Sequence, residues 1–514
     1  MSAQGSRWRN CARDAAVSLI GIDVGSSGTK ISVYSKEGKS LGSTYAAHTP
    51  HHPFPGAWEL DPEEIWTNAI DALRRLSALE SVKRNPPRAL AVSASMREGF
   101  PVDADGKALG PCIMTADTRE SGFEKTISDS YPGDEWFKFC GHTPERMDPV
   151  CRLLWWEKNQ PTIMRKAKHF VGWGEFFSLR LTGKAVVDLS HAGRFLVFDF
   201  KTNQWSPERI SEFDVNPELL PEIKPWGETI GPVDKKLSRS LGFTNDLDLA
   251  VGANDCVCTL LGAGVSRVGI GGLVSGSWEN ILLPVTEQPP SSLLLNAGLS
   301  LGPYPGEARW MVYGLSPTGS ATLNWARDLV NVKLDETEKM LDHLGEGPGT
   351  VLAVPHLSGA TAIWAGGKEL RAALIGMTLA TSPIDVVKAF MESIAYDTHF
   401  LLDGLKKSGA KIELLRGVGG GMRSGWWTQL RADLTKTVIE TVNQPEPGTL
   451  GAALLAGKAV GMWDNLERKA EEFTHAERRY NPEPSRASIY EERMEAYRRL
   501  IADLLSNHLY SLAN

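Results

Sequence analysis

Residues 17–34 read VSLIGIDVGSSGTKISVY. Val17 to Ile22 form an apolar run that suits a central strand buried on both faces. Gly25, Ser26, Ser27 and Gly28 let the backbone bend so that several amide N–H groups point one way, and a second strand resumes at Lys30. That arrangement suits phosphate: Asp23 at the strand end to hold Mg²⁺ or its waters, the small residues to wrap the β- and γ-phosphates, and Lys30 to add a point positive charge. The same residues also describe a glycine-rich hairpin with no ligand, so the rest of the chain has to supply the other parts of a nucleotide site.

At 514 residues the chain has the length of two or three domains of about 100–200 residues each. Its 42% hydrophobic and 23% charged residues are those of a globular protein with large cores. A net charge of -7 and the lack of a basic stripe argue against nucleic acid or an anionic membrane as a partner. The six cysteines are scattered, and the lone C-x-C of Cys256 and Cys258 lacks the second pair a structural zinc site needs. They read as reduced thiols of a cytoplasmic protein. The start, MSAQGSRWRNCARDAA, carries arginines but no apolar stretch of signal-peptide length, and no run approaches a membrane span. Residues 1–16 read as a loose tail.

Downstream, HTPHHPFPGAWELDPEE is rich in His and Pro; His48, His51 and His52 lack the Cys or Asp neighbours of a metal cluster. Asp61-Pro62-Glu63-Glu64 starts a helix, with Asp61 as cap, and Ile65, Trp66, Ala69, Ile70, Leu73 and Leu76 form its apolar face. Ala89 to Ser95 is a new strand delivering Met96-Arg97-Glu98-Gly99 at its carboxyl end, where ligands of open α/β sheets lie. Arg97 and Glu98 there either grip a polar substrate or form a structural bridge, and Asp117 and Arg119 stand in a similar spot. Phe170 to Asp188 reads as helix closed by Gly183. Leu247 to Gly252 is a buried strand ending in Ala253-Asn254-Asp255-Cys256 before an apolar helix, which makes Asp255 the candidate base. GIGGLVSGSWENILLPV repeats the style of the first hairpin, with Gly276 and Ser277 in its turn, as if the chain began again by duplication. A long helix from about Pro383 to Leu402 follows. In LLRGVGGGMRSGWWTQLRADL a strand then runs through Gly419, Gly420 and Gly421, which let a flat ring approach the backbone, into a helix. GTLGAALLAGKA is a small-residue helix. A last helix, started by a capping box at Ser488 to Glu491, carries the stripe Tyr490, Met494, Tyr497, Ile501 and Leu504. That stripe needs either the body of the protein or a second subunit, the latter giving a homodimer.

From about residue 17 to about 480 these blocks resemble, in order, those of the FGGY carbohydrate kinases, two-domain members of the actin, hexokinase and Hsp70 superfamily. IGIDVGSSGTK looks like the first phosphate loop, GANDCVCTLLGAG like the block with the catalytic base, and VGGGMRSGWWTQLRADL with EPGTLGAALLAG like the adenosine block. The resemblance implies an α/β, ribonuclease H-like fold of two duplicated domains with ATP and sugar in the cleft between them. It also implies residue roles: Asp23 for Mg²⁺; Ser27 and Lys30 for phosphate, within a loop that includes Gly25 and Ser26; Ser277, beside Gly276, for the second phosphate loop. Gly420, Gly421 and Ser424 fall at the adenine and ribose end, and Asp255 at the hydroxyl being phosphorylated, with Arg97, Glu98 and Asp117 around the substrate. The domains so expected are 17–263 (sugar, first loop, base), 264–480 (second loop, adenosine) and a terminal helix at 481–514.

The chain departs from the family pattern in places. Asn254 stands where glycine usually precedes the base, Ser277 replaces a common threonine and is followed by Trp278, and an expected glycine is displaced to Gly319. Where xylulose kinases typically show Met-His-Gly, this chain has an Arg-Glu pair similar to glycerol kinases, and SMREG is similar to autoinducer-2 kinases. The resemblance thus implies an ATP-dependent kinase of a sugar, sugar acid or polyol, with an open-chain substrate as one form of that expectation. The contrasting expectation is a non-enzymatic nucleotide switch, for which a hydroxyl-binding set of Arg97, Glu98, Asp117 and Asp255 would have no use.

Overall fold

The computed structural model describes residues 17–243, 246–345, 347–360 and 370–506; the expected tail at 1–16, with Cys11, lies outside them. The described residues divide into two compact units. One runs to Ser266 and adds Gly302–Gly306 and Gln444–Thr474; the other comprises Arg267–Leu301, Glu307–Asn443 and the chain from His475 on.

The sheet of the first unit is built around β1 (Ser18–Val24), whose Ile20, Ile22 and Val24 are wholly buried. Its other long strands are β2 (Gly28–Ser35), β3 (Ser40–Ala47), β4 (Pro87–Ala94), β5 (Thr229–Pro232) and β6 (Asp248–Ala250), in the order β5-β6-β4-β1-β2-β3. β1, β2 and β3 are successively antiparallel, β4 runs parallel to both β1 and β6, and β5 is antiparallel to β6. The helix Pro62–Ser77 starts as its sequence predicts. The Asp61 carboxylate accepts the Glu63 N–H at 2.9 Å, and Ile65, Trp66, Ala69, Ile70, Leu73 and Leu76 are buried. The helix expected across Phe170–Asp188 is shorter, Trp173–Thr182. A left-handed Gly183 (φ 75°) stops it, and short strands flank it at His169–Val171 and Val186–Asp188.

In the second unit six strands of a seven-stranded sheet repeat that plan. They are β7 (Gly269–Ser275), β8 (Glu279–Val285), β9 (Trp310–Ser316), β10 (Ile412–Val418), β11 (Val438–Val442) and β12 (Ala476–Tyr480), in the order β9-β8-β7-β10-β11-β12. Again three successive antiparallel strands lead to two parallel ones and an antiparallel edge. The two halves share the sense of their strands across the sheet and the order of the first four, as the second hairpin of the sequence suggests, but fill the last two places in opposite chain order, β6 then the edge strand β5 in one and β11 then the edge strand β12 in the other.

Two elements lie where the sequence does not put them. The helix Pro447–Ala459 was expected with the second domain, yet it belongs to the first unit. It packs there because glycine removes side chains at each crossing: a Cβ on Gly21 would overlap the Thr449 carbonyl, on Gly262 that of Pro447, and on Gly451 that of Cys258. The last helix begins at Pro484 rather than at the Ser488–Glu491 box; Ser488 is already inside it, and its hydroxyl bonds back to the Ser485 carbonyl at 2.8 Å. Its stripe of Tyr490, Met494, Tyr497, Ile501 and Leu504 is buried in one cluster with Met391, Ile394 and Tyr396 of the helix Pro383–Lys407 and Leu430 and Leu434 of the helix Gly425–Thr435. The body of its own unit therefore covers that stripe.

Candidate active site

In the first unit the turn between β1 and β2 is held from behind. Gly25 N–H bonds to the Gly28 carbonyl at 3.1 Å, and the Ser27 carbonyl accepts the His48 N–H at 3.0 Å and the Tyr45 hydroxyl at 2.9 Å, while Ser26 and Ser27 stay exposed. The nearby histidines have separate tasks. His48 Nε2 bonds Thr29 Oγ1 at 2.9 Å, and burial drives its pKa down to about 4; His52 Nδ1 meets the Ala57 carbonyl at 2.9 Å. Among the described residues no group of three or more His, Cys, Asp or Glu side chains is arranged for a metal ion.

Asp23 ends β1, with its Oδ1 accepting the Ser93 hydroxyl at 2.6 Å; burial raises its pKa against the pull of that bond and of Lys30. The first turn of the helix Pro447–Ala459 comes so near that a Cβ on Gly448 would stand 2.7 Å from Asp23 Oδ2. Lys30, directly opposite Asp23 in the β1–β2 pair, makes an ion pair with Glu446 at 2.8 Å, both side chains being partly exposed.

Asp255 opens the helix Asp255–Gly262. Asn254 caps it by accepting the Val257 N–H at 2.8 Å, and the Cys256 N–H bonds Asp255 Oδ1 at 2.8 Å. Burial first, then the like charges of Asp23 and Glu98, push the Asp255 pKa from 3.8 up to about 7. Such a carboxyl is a proton acceptor poised near neutral pH, and three carboxylates drawn from the ends of β1, β4 and the strand after β6 converge in one unit.

Arg97 and Glu98 follow β4 and are 8% and 4% exposed, but they are not bridged to each other by their side chains. Arg97 Nη1 is shared by Glu145 and by Asp148 (3.2 Å). Glu98 Oε2 accepts the Arg97 N–H at 3.0 Å, and its Oε1 accepts the Thr115 hydroxyl at 3.1 Å. Arg152, fully buried, bonds Glu120 at 3.1 Å and also the Arg97 carbonyl, so the strand end is clamped from below. Asp117, the third acid expected around the substrate, is held by its own neighbours. Its two oxygens take the Trp58 N–H (2.7 Å) and the N–H, Nε and Nη2 of Arg119 (2.9, 2.9 and 2.7 Å), and these donors hold its pKa below the usual range although burial alone would raise it. Arg119 in turn bonds Glu59 at 2.7 Å and lies over Phe54 and Trp155. Glu145, Asp148, Glu120 and Arg152 escape sequence reasoning as a set, because Glu120 comes from a loop about twenty-five residues before the others, which stand at the start of the helix Pro149–Asn159; the density of acids and arginines between 119 and 152 is the one signal for it.

The second unit carries its own turn. Gly276 N–H bonds the Trp278 carbonyl at 3.0 Å, and the Gly276 carbonyl accepts the Ser320 N–H at 2.8 Å. A Cβ on Gly319 would lie 2.8 Å from the Ser277 carbonyl oxygen, so the displaced glycine is what lets the helix Ser320–Leu329 start against this turn. Gly419 (φ 97°) and Gly421 crowd Ser275 from the other side, and Ser275 Oγ accepts Arg431 Nη2 at 3.1 Å. Arg431 is fully buried, paired with Glu279 at 2.9 Å and stacked 3.5 Å over Trp427. Ser424 caps the helix Gly425–Thr435 through the Trp427 N–H at 3.1 Å. Gly276, Ser277, Gly420, Gly421 and Ser424 thus gather at the carboxyl ends of β7 and β10.

The protein is thus a two-unit α/β protein with a largely repeated mixed sheet, glycine-rich turns at corresponding strand ends and a half-buried acid at a helix start. Models of the FGGY family of carbohydrate kinases match the chain over residues 18–262 (N-terminal domain) and 272–460 (C-terminal domain), and the chain belongs to that family of kinases. Among its relatives, a glycerol kinase of Thermococcus kodakarensis is 29% identical over 494 residues, covering 94% of this chain and 96% of the relative. A gluconokinase of Bacillus licheniformis is 23% identical over 510 residues (96% and 98%), and a xylulose kinase of Staphylococcus xylosus 22% over 483 residues (93% and 99%). The fold matches ligand-bound xylulose kinase from Lactobacillus acidophilus (TM-score 0.87, 23% identity, 97% of this chain and 100% of that one). It also matches Plasmodium falciparum glycerol kinase with ADP (0.84, 22%, 94% and 98%).

Proposed function

We propose that the protein transfers the γ-phosphoryl group of ATP to a hydroxyl of an open-chain sugar, sugar acid or polyol, with Asp255 as the general base. The observation that carries this reading is Asp255 itself: a carboxyl at a helix start, drawn up to about 7 by burial and by Asp23 and Glu98. Phosphoryl transfer depends on positioning and on neutralised charge, so the base has only to orient the acceptor hydroxyl and take its proton late. Asp23 fits Mg²⁺: it is a hard oxygen donor fixed by Ser93, and Mg²⁺ is commonly held by one or two carboxylates together with water and phosphate oxygens. Bound Mg²⁺ would neutralise phosphate charge. The amides of Ser26 and Ser27, in a turn that Gly25 closes onto Gly28, and the Lys30 ammonium receive phosphate oxygens; the Lys30–Glu446 pair is partly exposed, of a kind worth about 0–1 kcal/mol, and yields to phosphate at little cost. Gly276 and Ser277 form the second phosphate turn, and Gly420, Gly421 and Ser424 take the adenosine. Glu98 accepts from a substrate hydroxyl, and Arg97, fixed by Glu145 and Asp148, donates to a neighbouring one. Asp117 acts through Arg119.

Glycerol and gluconate, the substrates in the names of two relatives, are open-chain polyhydroxy compounds, which supports the choice of substrate class. The test is a panel of polyols, ketoses, aldonates and closed-ring hexoses with MgATP, read by ADP formation and by product mass. Phosphorylation of an open-chain member at a saturable rate supports the proposal; phosphorylation of closed-ring hexoses alone would overturn the substrate class.

A further inference from the structure

Behind Asp255 lies a buried polar group that none of these roles uses. Asp188, at the end of the strand Val186–Asp188, is 6% exposed, and its Oδ1 accepts the Ser190 N–H at 2.7 Å, the His191 N–H at 3.3 Å, Trp226 Nε1 at 3.0 Å and the Ser190 hydroxyl. Its Oδ2 accepts His191 Nδ1. Each partner then reaches a different catalytic segment. Ser190 Oγ, with its proton given to Asp188, accepts the Asn254 N–H at 2.9 Å, one residue before Asp255. His191 Nε2 meets the Ser95 carbonyl at 3.2 Å, two residues before Arg97. The Asp188 charge keeps His191 protonated, with a pKa raised to about 10 despite its burial, so both ring nitrogens donate. One carboxylate therefore fixes two backbone segments that come from different strands, 95–98 and 254–255.

We propose that Asp188, acting through Ser190 and His191, is the positioning residue that holds the base Asp255 in register with the Arg97–Glu98 strand end. A geometry set this way is worth rate, since a displacement of about 1 Å at a reacting group costs on the order of 10²-fold. The inference rests on Asp255 being the base, and it goes beyond that assignment by naming what aims it.

The experiment compares wild type, Ser190→Ala, Ser190→Thr, Asp188→Asn and Asp255→Asn as full-length proteins by amide hydrogen exchange, by affinity for a non-hydrolysable ATP analogue, and by kcat on the fastest of glycerol, D-xylulose and D-gluconate. Ser190→Ala is expected to speed exchange about tenfold in the segment 250–257 while leaving 92–99 unchanged; Asp188→Asn loosens both segments, and Ser190→Thr restores slow exchange. The kcat of Ser190→Ala falls about tenfold or more with analogue affinity held within about twofold, a split that general destabilisation does not give. Unchanged exchange at 250–257 in Ser190→Ala overturns the proposal, as does loosening of only one segment in Asp188→Asn. An inactive Asp255→Asn beside a fully active Ser190→Ala overturns the positioning role alone. A fully active Asp255→Asn overturns both assignments.

Discussion

Replacing Asp255 by Asn should stabilise the protein, and only above acid pH. A carboxyl whose pKa rises on folding favours the folded state while protonated in both states, and that advantage is lost as the pH climbs from the unfolded value to the folded one. For Asp255 the two values are 3.8 and about 7. The gap of about three pH units corresponds, at 1.36 kcal/mol per unit, to about 4 kcal/mol at most, all of it lost by about pH 7. Asparagine has nearly the same shape and no charge to desolvate, so it escapes the loss. The assay is chemical unfolding of the ligand-free wild type and of Asp255→Asn between pH 4 and pH 9, followed on the transition of the first unit. Taking the difference at each pH cancels the titrations the two proteins share. The stability difference should be near zero at about pH 4, grow through pH 5 and 6, and level off above about pH 7. A difference that is the same at pH 4.5 and pH 8, or a variant less stable than wild type at pH 8, would refute the assignment of burial and of the Asp23 and Glu98 charges as the cause.

The same group sets the acid limb of the rate profile: kcat/KM, which reports the free enzyme, should fall about tenfold per pH unit below about 7, and Asp23→Asn should move that limb to lower pH by removing a like charge. If Arg97 and Glu98 contact substrate, Arg97→Ala and Glu98→Ala should each raise the substrate KM about tenfold or more with the KM for ATP little changed. Equal weakening of both would make the pair purely structural. Gly21→Ala, whose Cβ would overlap the Thr449 carbonyl, should lower the yield of folded protein sharply, whereas Gly122→Ala, with no atom within 4 Å of its Cβ, should lose only the milder strain of its φ of 103°; comparable folding of the two would count against the close packing of β1 on the helix Pro447–Ala459.

The parts of this structure that could be read in the sequence are those decided locally. The strand and turn at 17–34, the capped helix at Pro62, the second hairpin at Gly269–Val285 and the stripe from Tyr490 to Leu504 each declare themselves by a period or a turn residue within about twenty positions. The parts that could not are those decided by partners far along the chain. Nothing near Asp117 in the sequence announces the Trp58 N–H, 59 residues earlier, that its carboxylate accepts. The helix Pro447–Ala459 reads as a neighbour of the GGG turn in sequence, and the close approaches at Gly21, Gly262 and Gly451 show that it packs on β1 and on the helix Asp255–Gly262. Lys30 declares a charge but not the Glu446 that balances it more than four hundred residues later. The terminal helix shows a capping box, but Pro484, fixed at a helical φ four residues earlier, starts the helix first.

Asp255, as proposed, serves the chemistry rather than the binding of nucleotide, and the direct measurement is turnover and ATP-analogue affinity of Asp255→Asn side by side at pH 8, on the acceptor that the panel identifies. Loss of the base is expected to lower kcat by about 10²–10⁴ while the analogue dissociation constant stays within about twofold of wild type. Turnover within about threefold of wild type, or a fall in turnover matched by an equal loss of analogue affinity, would contradict it.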